Sequence, residues 1–207
     1  MASAEPSARG DGGGSGERSS APWLVIGLGN PGGDYANTRH NAGAMAVGML
    51  AERSGEKLKR SRQRADVAET RDGQTRVILA RPHGYMNDSG GPVSTLARYY
   101  KVPLDRLIVV YDDIDLAAGK VQVRKGGGTA GHNGMKDIVK ALGGPDFFRV
   151  RLGVGRPPGR QDPADYVLEA IPKRLAEDFG VLVERGADAA IDLTRLPLER
   201  VQDRHNH

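Results

Sequence analysis

His40, Asp112, Asp113 and Asp115 are side chains whose types and settings could carry chemistry. A neutral imidazole accepts a proton near neutral pH, and a carboxylate on its other ring nitrogen fixes the tautomer and stabilises the imidazolium. His40 lies in the polar run Thr38-Arg39-His40-Asn41, beyond a glycine-rich elbow (Gly27, Gly29, Gly32, Gly33) and at the start of a helical pattern. Strand ends and helix starts gather unpaired N–H groups, so an ionisable group there is well placed to act. The apolar run Leu107–Tyr111 leads directly into the three aspartates, whose strand end could lie beside the elbow. Strand parity sends Asp112 and Asp113 to opposite faces and does not choose between them. No G-x-S-x-G elbow and no cysteine is present, so the base would activate water without a covalent intermediate.

Other motifs offer rival chemistry. The three aspartates could hold magnesium, although at most two of them converge easily. Gly27-Leu28-Gly29-Asn30-Pro31-Gly32 matches the spacing of a dinucleotide loop. Pro31-Gly32-Gly33 delays the helix to about residue 41, however, and residues 45–53 are helical where a second strand is required, so a nicotinamide or flavin site is excluded. The loop from Gly126 to Gly134, with His132 and Asn133 at a helix start, could present N–H groups to a phosphate. It lacks the Lys-Ser/Thr of a nucleotide-triphosphate loop. In Tyr85-Met86-Asn87, Asn87 can donate to a carbonyl and Tyr85 can pack on a base or a peptide. His83 reads as a loop residue, and His205 and His207 as part of a frayed C-terminus.

The elements that must position these groups follow from periodicity. Strands are expected at Leu24–Ile26, weakly at 57–70, and at Thr75–Ala80, Leu107–Tyr111, Lys120–Arg124 and Phe147–Val154. Helices are expected from Asn41 (a possible cap) to Ser54, over Met86–Tyr100, after Asn133, and over Pro172–Leu193; Asp162–Leu168 is ambiguous. Alternating strands and helices indicate a single-domain α/β/α sandwich over a mixed, mostly parallel sheet. The short link from residue 115 to 120 implies at least one antiparallel neighbour. The domain is placed at residues 23–193, with a disordered N-terminal tail at 1–22 and a C-terminal tail at 194–207.

Composition narrows the class. The 207 residues include 29 glycines and no cysteine, which excludes disulfides and thiolate metal sites. No apolar run reaches the length of a membrane span. Residues 23–160 carry 22 Lys/Arg against 13 Asp/Glu, whereas 161–207 carry 6 against 10. A basic body with clusters at Lys57–Arg64, Lys120–Lys125 and Arg149–Arg160 suits a polyanionic partner such as nucleic acid.

Four motifs in this order resemble the bacterial peptidyl-tRNA hydrolase family. They are Gly27–Gly32 with Tyr35 and Thr38–Gly43; Arg81-Pro82 with Tyr85-Met86-Asn87 and Ser89-Gly90; Tyr111-Asp112-Asp113 with Asp115-Leu116; and Gly126–Gly128 with Gly131–Gly134. The resemblance spans about Leu24 to Ala190. It implies a cytoplasmic, monomeric esterase that needs no metal, cofactor, membrane or obligate protein partner and frees tRNA from peptidyl-tRNA. Its catalytic set would be His40 as general base, Asp112 as the carboxylate orienting it, and Asn30, which helps discriminate blocked peptidyl-tRNA from free aminoacyl-tRNA. Tyr35, Tyr85, Asn87 and Asn133 would line the substrate site, with the two asparagines positioning ester or water and stabilising the oxyanion. Arg124 and Arg151 would contact tRNA phosphate. Gln122 stands where a lysine is frequent, Thr129 and Ala130 alter the glycine loop, and Gly48 replaces a frequent acidic residue. The competing classes are a non-catalytic RNA-binding protein and a magnesium-dependent phosphohydrolase.

Overall fold

Buried β-branched runs punctuated by glycine build the centre of the molecule. The computed structural model describes residues 21–207, so the expected N-terminal tail lies, up to residue 20, outside the described residues. Seven strands form one sheet: β1 (Trp23–Gly27), β2 (Lys59–Arg60), β3 (Ala65–Asp72), β4 (Thr75–Pro82), β5 (Leu107–Asp113), β6 (Val121–Lys125) and β7 (Phe148–Gly153). Their order is β2-β3-β4-β1-β5-β7-β6. The four central strands β4, β1, β5 and β7 are mutually parallel, and β2, β3 and β6 attach antiparallel at the margins. Six helices cover the sheet: α1 (Ala42–Arg53), α2 (Gly90–Tyr99), α3 (Asn133–Leu142), α4 (Pro163–Leu168), α5 (Ala176–Asp192) and α6 (Leu198–His205).

Strand alternation sorts the core into two layers. Val25, Val77, Leu79, Ile108 and Val110 pack with α1 and α5 on one face. Leu24, Ile26, Ile78, Leu107 and Val109 pack with α2 and α3 on the other. All seven residues of β5 are buried, as expected for a central strand with both faces covered. No helix among the described residues is long and apolar enough to cross a membrane.

Several expected elements differ in detail. The weak strand at 57–70 is two strands separated by a turn in which Arg64 takes φ 58°. The helix expected from Met86 opens with a separate 3-10 turn at Met86–Asp88, and α2 is capped from outside: the Asp137 carboxylate of α3 accepts from Gly90 N–H at 2.6 Å. Pro172 precedes a 3-10 turn at Lys173–Leu175, so α5 starts only at Ala176. The antiparallel partner of β6 is β7, which lies between it and β5 despite the short link after Asp115.

The largest difference is at the C-terminus. Residues 194–207, read as a tail, carry α6, whose Val201 and His205 are buried. α6 covers the edge of β6: Asn206 accepts from Val123 N–H at 2.6 Å, and Gln202 donates to the Val123 carbonyl at 3.0 Å. An exposed strand edge is a template for unwanted pairing, and this segment occupies it. His205 and Arg204 both reach the Asp192 carboxylate at 2.9 Å, which pins the helix to α5.

Candidate active site

The elbow after β1 brings backbone against backbone. A Cβ on Gly43 would lie 2.0 Å from the Val110 carbonyl oxygen, and one on Gly27 would lie 2.2 Å from the Gly43 oxygen. Only glycine permits this approach, which sets the start of α1 directly on the ends of β1 and β5. The chain between them carries a 3-10 turn at Gly33–Tyr35 and another at Arg39–Asn41, with no helix start inside the glycine pattern. His40 therefore arrives beside the end of β5.

His40 is clamped on both flanks. Thr38 is fully buried, bonds the Tyr35 carbonyl at 2.9 Å and forms a β-bridge with Ala170. The Arg39 guanidinium lies 4.0 Å over the Tyr166 ring and donates to the Tyr166 carbonyl. Asn41 does not cap α1 with its side chain. It accepts from Asn30 N–H at 2.8 Å and donates to the Asn30 carbonyl at 2.9 Å, closing the ten-residue loop. The Asn30 side-chain oxygen in turn accepts from Met86 N–H at 2.8 Å, so its amide NH2 is the end left to meet a ligand.

Asp112 is the carboxylate that meets His40. His40 Nδ1 lies 2.9 and 3.0 Å from its two oxygens, and His132 Nε2 lies 3.1 Å from Oδ1. Burial by itself would push this carboxyl up. The charge of His40, with hydrogen bonds from His132 and His40, outweighs burial and holds the pKa well below the usual carboxylate range. An ionised carboxylate only accepts, so His40 carries its proton on Nδ1 and leaves Nε2 free to act as a base. Asp113 turns away, as parity requires, and pairs with Arg151 Nε at 2.8 Å; Asp115 pairs with Arg156 at 2.5 Å. The three carboxylates thus meet different cationic or imidazole side chains: two histidines at Asp112, Arg151 at Asp113 and Arg156 at Asp115.

His132, which the sequence motifs placed inside a presumed phosphate loop, reaches Asp112 from the other side. Its Nδ1 accepts from Met135 N–H at 3.3 Å as the N-cap of α3, which leaves Nε2–H to donate to Asp112. A histidine at the start of a helix, just after a glycine-rich loop, was the available signal. His40, Asp112 and His132 place ligand atoms within 4.8 Å of one another, close enough for a metal ion. A neutral imidazole that binds metal through one nitrogen has a proton to donate on the other. His132 Nδ1 accepts instead, so this donor set fits a carboxylate between two imidazoles better than a metal.

These groups face a cavity of about 650 Å³. It gathers Asn30, Tyr35, His40, Tyr85, Asn87, Asp112 and Asn133, which are all the expected catalytic and substrate-lining residues, beneath the apolar face of α4 at Val167 and Leu168. Tyr35 and Tyr85 meet edge to face, 6.4 Å between ring centres. The arginines lie elsewhere. Arg124 is half-buried and donates to the Gly128 carbonyl at 2.9 Å. Arg151 is only 8% exposed and pairs with Asp113 and Gln122.

Comparison with known proteins agrees with the geometry. The chain is 52% identical over 185 residues to a peptidyl-tRNA hydrolase of Frankia alni, covering 89% of this chain and 94% of that one. It is 48% identical over 192 residues to one from Streptomyces avermitilis, covering 90% and 94%. A solved peptidyl-tRNA hydrolase structure from Acinetobacter baumannii superposes with a TM-score of 0.84 at 31% identity, covering 92% of this chain and 97% of that chain. The family model described as peptidyl-tRNA hydrolase matches residues 24–207. The chain belongs to the peptidyl-tRNA hydrolase family.

Proposed function

We propose that the protein hydrolyses the ester between the peptide and the 3′ ribose of peptidyl-tRNA, with His40 as general base. The observation that carries the mechanism is the His40 Nδ1 contact to both oxygens of a buried, ionised Asp112. Nε2 of His40 takes a proton from water as the water oxygen attacks the ester carbonyl carbon. The imidazolium, stabilised by Asp112, then returns that proton to the departing ribose oxygen. The products are a peptide carboxylate and a tRNA with a free terminal hydroxyl. His132 keeps Asp112 oriented from the other side.

Asn30 offers a reason for selectivity. With its oxygen held by Met86 N–H, its NH2 donates to the acyl carbonyl that a blocked amino group carries. A free α-ammonium has only donors and leaves that NH2 unpaired, a loss of about 1–3 kcal/mol. Asn87 and Asn133 stand at the rim as donors for the ester oxygen as it gains charge. Arg124 is the phosphate contact, by exchanging the Gly128 carbonyl for a tRNA oxygen. The working unit in this reading is a monomer in the cytoplasm, where translation supplies the substrate.

The test is cleavage of N-acetylaminoacyl-tRNA beside free aminoacyl-tRNA, each with and without EDTA. Cleavage of the blocked substrate alone, indifferent to EDTA, is expected. Binding without cleavage would favour a non-catalytic RNA-binding role, and loss with EDTA a metal-dependent hydrolase.

A further inference from the structure

A second cavity, of about 620 Å³, is lined by the elbow but not by His40. It is lined by residues of α1 and α5, by Gly29 of the elbow, and by Asp66, Arg81 and His83. Asn30 lines this groove as well as the catalytic cleft, so the two spaces meet at that residue.

The helix walls carry an unexplained sequence choice. α1 and α5 each contain two glycines, and interior glycine weakens a helix. Gly43 in α1 and Gly186 in α5 are required by packing: a Cβ would come within 2.0 Å of the Val110 oxygen and 2.5 Å of the Leu152 side chain. Gly48 and Gly180 are not. A Cβ on either would meet nothing within 4 Å, and neither has a positive φ. Both line the groove, from opposite walls. What their missing side chains provide is width.

Beside the glycines the walls present Met45, Met49, Phe179 and Val183. Methionines adapt to varied apolar shapes, as a site for many sequences needs. The charged residues of the lining do not favour phosphate. Arg81 is already paired with Asp66, as is His83, and Glu52 adds a further carboxylate. Such a groove suits a peptide with apolar side chains and an amino terminus better than a tRNA backbone.

We infer that this groove takes the residues of the nascent peptide that precede the esterified one, so that the enzyme holds long apolar peptides better than short ones. The inference rests on the peptidyl-tRNA reading above. Asn30 is the turning point: its NH2 holds the first acyl carbonyl, and the chain beyond it crosses the elbow into the groove between α1 and α5.

The test compares kcat/KM on N-acetylphenylalanyl-tRNA with that on a pentapeptidyl-tRNA of apolar residues, in the wild-type protein and in Gly48→Leu/Gly180→Leu. The wild type is expected to favour the pentapeptide by at least about tenfold, and the leucine variant to lose that ratio through KM. A Gly48→Ala/Gly180→Ala control is expected to melt higher and keep most of the ratio. An unchanged ratio in a folded leucine variant overturns the inference. Should that variant not fold, a wild-type crosslink from benzoylphenylalanine at the third peptide position decides: capture at Met49 or Phe179 supports the groove, and capture only elsewhere overturns it. If the wild type cleaves the short substrate without preferring the long one, the groove alone is refuted. If it cleaves neither, the peptidyl-tRNA reading falls and this inference with it.

Discussion

Two imidazoles on one carboxylate invite the question of which does what, and tautomers answer it. His132 spends Nδ1 on capping α3, so only His40 has an uncommitted ring nitrogen facing the cleft. Replacing Asp112 by Asn should lower kcat by roughly 10²-fold or more with little change in KM, because orientation and charge are lost rather than a substrate contact. Steady-state kinetics on N-acetylaminoacyl-tRNA measure this, and an unchanged kcat would rule out the pair. Since the Asp112 pKa is depressed below its ordinary 3.8, the carboxylate stays ionised at neutral pH. His132→Ala should lower kcat and also cost about 1 kcal/mol of stability through the lost cap, whereas His132→Asn, which can cap, should lower kcat alone. Parallel melts and kinetics separate the two effects. His40 was legible because a polar run follows an elbow and opens a helix. Asp112 was not distinguishable from Asp113 without the family likeness, because parity separates their faces without saying which one meets the elbow, and the Arg151 that pairs with Asp113 lies thirty-eight positions later on another strand.

At the scale of elements, the glycine loop before α3 works differently from its sequence signal. A phosphate cradle would direct N–H groups outward. Here the Gly128 carbonyl is the busy group, accepting from Arg149 Nη1 at 2.5 Å and from Arg124 Nη2 at 2.9 Å. Register explains the convergence: Arg149 pairs with Arg124 across β7 and β6, so both point to the same face of the sheet. Periodicity located both strands, but only their pairing makes the arginines neighbours. Arg149 is fully buried, beside the Phe147 ring, and burial lowers its pKa. Replacing a buried cation by an apolar group of similar size is often neutral or stabilising. Arg149→Met should therefore leave the melting temperature level or raised, yet lower kcat by about tenfold or more as His132 and Asn133 lose their anchored loop. A lower melting temperature with intact kcat would make Arg149 a stability element instead. Ala130, in the same loop, holds φ 47°, which costs a non-glycine residue about 1 kcal/mol. Ala130→Gly should accordingly raise the melting temperature by about 1–3 °C, as differential scanning fluorimetry would show.

The whole molecule is a sandwich whose two sheet edges are handled in opposite ways. At one end β2 is only two residues, both basic, which discourages further pairing. At the other end α6 covers β6. Local pattern could not reveal this: α6 is a polar helix in which Val201 and His205 alone are buried, and its anchors, Val123 and Asp192, lie elsewhere in the chain. A chain ending at residue 193 uncovers the β6 edge, exposes the contacts of Val201 and leaves Asp192 without His205 and Arg204. Losing these should cost about 3 kcal/mol or more, a fall on the order of 10 °C in melting temperature. The Asp192 carboxyl carries its own pH signature. Burial raises its pKa, but hydrogen bonds from His205 and Arg204 and their charge lower it further, leaving it below the ordinary 3.8. A depressed carboxylate pKa contributes stability above the unfolded value that is lost as pH falls through the folded one. The truncated chain lacks that contribution, so the gap in melting temperature between the two proteins should narrow below about pH 4. A gap that stays constant down to pH 3 would place the anchor in Val201 and the covered edge, and not in the Asp192 ion pairs.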